Sequence, residues 1–239
     1  MTLPVAILAG GLATRLRPVT EKIPKALVPV AGHPFVEHQL ALLRRQGYTE
    51  VVVCAGHLGE MIEQHLGDGA RWGMKIRFAF DGPTLLGTGG ALRRALPKLG
   101  PAFLVLYGDS YLPCDFRGVE QAFLSSRMPA LLTVFRNEDR WDRSNVAFRE
   151  DKVLRYDKRN PSAEMQHIDY GLGALRSAAL EPYPDGTAFD LGDVYAGLAA
   201  KVDLAGLALG QRFYEIGSAA GLADTERFLS THSSVEPAS

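Results

Sequence analysis

The sequence predicts an α/β fold: an open, mostly parallel sheet covered by helices on both faces. Two observations carry this. Short apolar runs alternate with helix-like stretches through most of the 239 residues. The runs are apolar at consecutive positions, as strands buried on both faces require. Repeated βα alternation then imposes right-handed crossovers and a doubly wound sheet. The composition, 46% hydrophobic and 22% charged, is ordinary for a globular domain. A chain of this size buries about three quarters of its unfolded surface.

The predicted strands are 4–9, which enters glycine, then 51–55, 75–80, 102–107 and 130–135. Between them, Val36, Leu40 and Leu43 fall at i, i+4 and i+7 and mark one face of a helix, with Gly47 as its stop. Shorter helices are expected at 61–66 and 91–96. After about Asn137 the pattern changes. Residues 144–149, 152–156 and 167–174 read as shorter, mixed strands, with Glu150-Asp151 as a hairpin turn. A helix at 190–200, a strand at 213–216 and a helix at 219–229 follow, and the polar tail 231–239 reads as flexible. No internal repeat is present.

Several function classes are excluded early. Lys plus Arg total 26 and Asp plus Glu 27, a net charge of -1, which argues against a nucleic-acid footprint. Two cysteines, Cys54 and Cys114, cannot make a disulfide framework or a four-thiolate zinc site. The start of the chain lacks the basic region of a signal peptide, and no apolar run approaches the ~20 residues that span a bilayer. A cytoplasmic protein with no membrane partner is expected, and the oligomeric state, a homo-oligomer included, stays open. The six histidines show no metal-ligand spacing. Trp72 and Trp141 read as packing or surface anchors. No Gly-x-Ser-x-Gly or Cys–His pattern argues for a covalent nucleophile.

Chemistry concentrates in a few segments. Leu8-Ala9-Gly10-Gly11-Leu12-Ala13-Thr14-Arg15-Leu16-Arg17 runs from a strand into two glycines, a hydroxyl and two arginines. Glycines let backbone N–H groups approach phosphate closely, and Arg15 offers a fixed guanidinium fork. The spacing is neither the dinucleotide fingerprint nor the Walker loop. Pro24 stiffens the approach to Lys25. Gly87-Thr88-Gly89-Gly90 is a glycine-rich loop before a helix. Asp109 ends the strand 102–107 at the sheet edge, where it is either a turn residue or a ligand for a hard cation. Glu215, in Tyr214-Glu215-Ile216, is either a solvent-facing strand residue or the partner that completes a Mg2+ site with Asp109. Lys158, taken alone, reads as a surface lysine. Asp190 precedes a helix and is an N-cap candidate.

Taken together, LAGGLATRLRP…PKALVPVAGHP resembles the N-terminal signature of sugar-phosphate nucleotidyltransferases. LGTGGAL, the strand ending in Gly108-Asp109-Ser110, Tyr156-Asp157-Lys158 and Tyr214-Glu215-Ile216-Gly217-Ser218 resemble later motifs of that family. The chain departs from the pattern in carrying Asp157 for Glu and Glu215 for Asp. The resemblance implies a Rossmann-like, nucleotidyltransferase type A-like fold. It implies one domain over 1–230, with a nucleotide-binding half (about 1–136) and a sugar-phosphate half (137–230) sharing one sheet. It further implies nucleotide contacts at Leu8, Ala9, Gly10, Gly11, Thr14, Gly87, Thr88 and Gly89, and catalytic roles for Arg15, Lys25 and Asp109. Lys158, Asp169, Gly171 and Asp190 are implied around the sugar phosphate, and Mg2+ on Asp109 and Glu215.

The expected reaction joins a nucleoside triphosphate and a sugar 1-phosphate, GTP with heptose- or mannose-1-phosphate first. A uridylyl- or thymidylyltransferase, an enzyme for a non-sugar acceptor, and a non-catalytic nucleotide-sugar-binding regulator are the alternatives. A nicotinamide-dependent dehydrogenase is disfavoured, because its glycine spacing is missing.

Overall fold

The computed structural model describes residues 2–16, 18–140, 142–232 and 235. Arg17 and Trp141, and most of the predicted tail, therefore lie outside the described residues. The first half of the chain runs β1 (Val5–Ala9), β2 (Pro29–Val30), β3 (His33–Pro34), α1 (Phe35–Arg45), β4 (Glu50–Ala55), α2 (Gly59–Leu66), β5 (Lys75–Phe80), α3 (Gly87–Leu99), β6 (Ala102–Tyr107), β7 (Ser110–Tyr111) and α4 (Phe116–Ser126). The second half continues with β8 (Ala130–Arg136), β9 (Val146–Arg149), β10 (Lys152–Tyr156), β11 (His167–Arg176), α5 (Leu191–Ala200), β12 (Leu204–Leu209), β13 (Tyr214–Glu215) and α6 (Ala219–His232).

Nine strands form one mixed sheet in the order β5-β4-β1-β6-β11-β8-β12-β10-β9. The strands β5, β4, β1 and β6 are mutually parallel. β11 runs antiparallel to both β6 and β8. Consecutive residues of a strand feed opposite layers, as the unbroken apolar runs require. Val5 and Ile7 of β1 pack in one core with α1, α4 and Leu229 of α6. Ala6, between them, packs in the other core with Leu92 of α3 and Val194 of α5. From β1 the chain crosses to β4 on one side, and it later returns as β6 on the other. That reversal opens a crevice at the carboxyl ends of β1 and β6, the place where open α/β sheets bind ligands.

The Glu150-Asp151 turn is a hairpin, with φ of +50° and +57°, the double left-handed geometry that suits the twist of its two strands. Gly47, at φ +81°, does stop the first helix: its N–H bonds to Arg44 O while that of Tyr48 returns to Leu43 O. Besides the two-residue strands β2, β3 and β7, two longer elements lie outside the sequence prediction. α4 buries Phe116, Val119 and Phe123 at helical spacing and is capped by Asp115, whose carboxylate accepts from Arg117 N. β12 inserts between β8 and β10. The expected flexible tail begins inside a helix, since α6 extends to His232. Trp72 and both cysteines are buried, and burial pushes each cysteine thiol up to about 12. Among the described residues no helix is long and apolar enough to cross a membrane.

Candidate active site

Two cavities open side by side at the carboxyl edge of the sheet. The first, about 240 Å3, is lined by the end of β1 (Leu8 to Gly11), Lys25, Asp81, Leu85, Gly87 and Thr88 among others. The second, about 500 Å3, is lined by Arg15, Lys158, Asp169, Gly171 and Glu215 among others. Tyr107 and Asp109 line both. The glycine turn and the Asp109 carboxylate therefore share one hollow.

The turn after β1 is built for close approach. A Cβ on Gly10 would lie 3.2 Å from Gly56 N, whereas one on Gly11 would meet nothing within 4 Å. Packing thus accounts for the first glycine, whereas at the second no neighbour opposes a Cβ. The following short helical turn, Thr14–Leu16, is anchored by buried Leu16. Thr20 Oγ1 also donates to Ala13 O at 2.7 Å. Arg15 is exposed and reaches the second cavity rather than the first. Thr14 is exposed and lines neither cavity.

Lys25 Nζ donates to Asp109 Oδ2 at 2.9 Å. The expected triphosphate lysine and the expected metal carboxylate are thus partners of each other at the junction of the two hollows. Beside them, β13 pairs antiparallel with β7, Glu215 opposite Ser110, and Ile216 N donates to Asp109 O at 2.9 Å. This small ribbon brings two acidic residues, far apart in sequence, to one wall. Burial, and then the charge of Asp109, hold the Glu215 carboxyl above its ordinary range; Arg15 and Lys25 oppose the rise. Among the described residues no three His, Cys, Asp or Glu side chains cluster to hold a metal. Two crowded carboxylates facing a cavity do fit Mg2+, which is held through one or two carboxylates and completes its shell with water and phosphate oxygens.

The second cavity's floor is a buried carboxylate. The Asp169 side chain is 4% exposed. Tyr156 OH donates to its Oδ2 at 3.0 Å and Tyr107 OH at 3.4 Å, while Gly171 N donates to Oδ1 at 3.0 Å. Burial and the Asp169 charge push both phenols well above their ordinary range, so they stay protonated donors. Lys158 Nζ lies 3.5 Å from Asp169 Oδ2 and over the Tyr107 ring, 5.2 Å from its centroid. Gly171, at φ +102°, takes a backbone conformation that side chains resist. Asn145, also in this wall, accepts from Asp169 N through Oδ1 at 3.0 Å. Sequence reasoning missed Tyr107, Tyr156 and Asn145. Tyr156, next to Asp157-Lys158, carried the nearest signal.

One expectation changes, and the two readings of Asp190 are resolved in favour of the N-cap. The run Gly87-Thr88-Gly89-Gly90 is the first turn of α3, not a loop. Gly89 N and Gly90 N both donate to Phe189 O, and a Cβ on Gly89 would fall within 2.3 Å of the Phe189 ring. Gly89 therefore packs against a neighbouring segment; it does not line the cavity, while Gly87 and Thr88 do. Gly89→Ala is expected to cost roughly 1–3 kcal/mol from overpacking, read as a lower denaturation midpoint. An unchanged midpoint would mean that Phe189 moves aside at no cost. Asp190 lines neither cavity; its carboxylate caps α5 by accepting from Gly192 N at 2.7 Å. Asp157 turns back on its own loop, accepting from Arg159 N and Asn160 N. Its shorter arm is absorbed locally.

The sequence model described as "Nucleotidyl transferase" matches residues 5–144. An N-acetylmuramate α-1-phosphate uridylyltransferase from Neisseria meningitidis is 40% identical over 116 residues, 48% of this chain and 50% of that protein. A D-glycero-α-D-manno-heptose 1-phosphate guanylyltransferase from Campylobacter jejuni is 30% identical over 153 residues, 64% of this chain and 67% of that one. The chain spans about half the length of the curated uridylyltransferases it matches. A UDP-glucose pyrophosphorylase structure from Acinetobacter baumanii superposes with a TM-score of 0.81 at 17% identity, covering 98% of this chain and 96% of that one.

Proposed function

This chain belongs to the nucleotidyl transferase family, and from that premise we propose that it transfers a nucleoside monophosphate from a nucleoside triphosphate to a sugar 1-phosphate, releasing pyrophosphate. The observation that carries the reading is the pair of adjoining cavities that meet at Asp109. One is smaller and largely apolar and suits a nucleoside; the other is larger, more polar and floored by a buried carboxylate, and suits a sugar.

The acceptor phosphate is already ionised at neutral pH, so its oxygen attacks the α-phosphorus without a general base. Like-charge repulsion between two polyanions is the obstacle, and fixed cations with correct positioning are the remedy. Lys25 and the backbone of the Gly10-Gly11 turn take the triphosphate. Arg15 reaches the junction from the second cavity and screens the charge between donor and acceptor. Lys158 holds the acceptor phosphate, kept in place by Asp169 and the face of Tyr107. Asp109 and Glu215 would hold Mg2+, which supplies further charge neutralisation at the phosphates when bound.

GTP with heptose- or mannose-1-phosphate is the substrate pair we favour, and nucleotide-sugar supply for a surface polysaccharide is the role. The guanylyltransferase similarity supports it. A second reading, UTP as donor, draws on the more identical but shorter uridylyltransferase match. The test is pyrophosphate release across four triphosphates and a panel of sugar 1-phosphates. Binding without release in every combination would favour a regulator.

Lys158→Ala is expected to raise KM for the sugar phosphate roughly 10- to 100-fold, the scale of one lost charge-assisted contact, and to leave KM for the triphosphate unchanged. A rise in the triphosphate KM instead would move Lys158 to the donor side.

A further inference from the structure

A third cavity, about 360 Å3, lies at the opposite edge of the sheet, and Arg127, Arg176 and Lys201 all line it. Arg176 ends β11 and pairs with Ala102, the first residue of β6, whereas Tyr107 ends that strand beside the two hollows. The rise of β6 from Ala102 to Tyr107, about 17 Å, separates this cavity from the candidate active site. Among the described residues no acidic side chain lines it. None of its three cations has a carboxylate partner among them either.

Arg176 is fixed in place. Its Nε donates to Met128 O at 3.2 Å, and its guanidinium lies over the Phe123 ring, 5.2 Å from the centroid. Its two Nη groups have no protein acceptor among the described residues. A held guanidinium with free Nη donors matches the oxygens of a phosphate. Arg127 and Lys201 follow the last turns of α4 and α5, where the helix macrodipole favours a cation. That effect explains each of those two residues singly. It does not reach Arg176, which ends a strand, and it does not explain three cations around one hollow with no acid. Converging like charges repel, and an anion between them turns the repulsion into attraction.

The remaining wall sets the kind of anion. Pro129, Pro182, Tyr183, Val194 and Leu198 offer a mostly apolar surface, which an organic body covers and a bare inorganic ion leaves wet. The volume falls within the range of small-molecule pockets, roughly 300–1,000 Å3. We propose that this cavity is a second ligand site, which binds a small organic phosphate through Arg127, Arg176 and Lys201. The site is separate from nucleotidyl transfer and does not depend on that reading.

Phenyl phosphate is the probe, titrated into the full chain and followed through backbone amide chemical shifts. Saturable shifts are expected around Arg127, Arg176 and Lys201, and none there with phenol, which lacks the phosphate. Arg127 and Lys201 are exposed, so the double variant Arg127→Ala, Lys201→Ala should fold. It is expected to weaken this binding about 10-fold or more, the scale of two partly exposed charge contacts. Lys158→Ala, which alters the second hollow instead, is expected to leave it unchanged. The proposal is overturned by a wild-type protein without saturable shifts at those residues, by equal shifts with phenol, or by an unweakened double variant. A response lost in Lys158→Ala also overturns it and returns the phosphate to the active site. Phosphatidylglycerol vesicles present a phosphate ester at a membrane surface; shifts with these and none with phenyl phosphate would assign the three cations to a lipid headgroup instead. The wild-type titrations decide the matter even if the double variant fails to fold.

Discussion

Arg15→Ala is expected to lower turnover by roughly 100- to 1000-fold, the usual loss when one preorganised charge partner of a transition state is removed. Arg15 is exposed in the second cavity's wall, and its short helical turn is anchored by Leu16 and by Thr20 instead. Folding should therefore be untouched, and the thermal midpoint should match the parent. Arg15 also lowers the ionisation cost of Glu215, so its loss weakens the charge balance at the junction as well as the screening proposed for it. The measurement is kcat for pyrophosphate release at saturating substrates. Turnover within a few-fold of the parent would remove Arg15 from the mechanism.

Asp109→Ala is expected to be more severe, roughly 1000-fold or greater, because a divalent ion at a reacting phosphate supplies several kcal/mol of charge stabilisation. It also releases Lys25, whose Nζ sits 2.9 Å from the Asp109 carboxylate. The backbone hydrogen bond from Ile216 N to Asp109 O does not depend on the side chain, so the β7–β13 ribbon should persist in the variant. Pyrophosphate release is then followed with added Mg2+ and with a chelator. Parent activity that survives in the chelator would refute the metal reading and leave the Lys25–Asp109 pair as the function of that carboxylate.

Much of the architecture could be read directly, because the parallel strands are buried on both faces. Residues 75–80 and 102–107 were bounded as observed, since their apolar runs end at turns. The early glycines and Asp109 were legible for the same reason: a strand leading into polar or glycine residues marks the carboxyl edge of the sheet. Other features depend on partners distant in the chain. Nothing local in Gly87-Thr88-Gly89-Gly90 says that Phe189 caps those N–H groups and turns a loop into a helix. Asp81, in Asp81-Gly82-Pro83, looks like a turn residue; only the packing of Gly56 and Leu86 around it reveals a buried carboxylate. α4 depends on no distant partner: Asp115 and the spacing of Phe116, Val119 and Phe123 mark it locally.

Among the described residues the two hollows hold only Tyr107 and Asp109 in common. On the proposed assignment, residues that would grip one substrate are thereby insulated from those that would grip the other. Drift at Asn145 or Asp169 would then retune the acceptor and leave the donor grip as it is, and the reverse would hold at Leu85. A scaffold partitioned in this way is free to diversify into many donor–acceptor pairings by exchanging one half of its chemistry at a time.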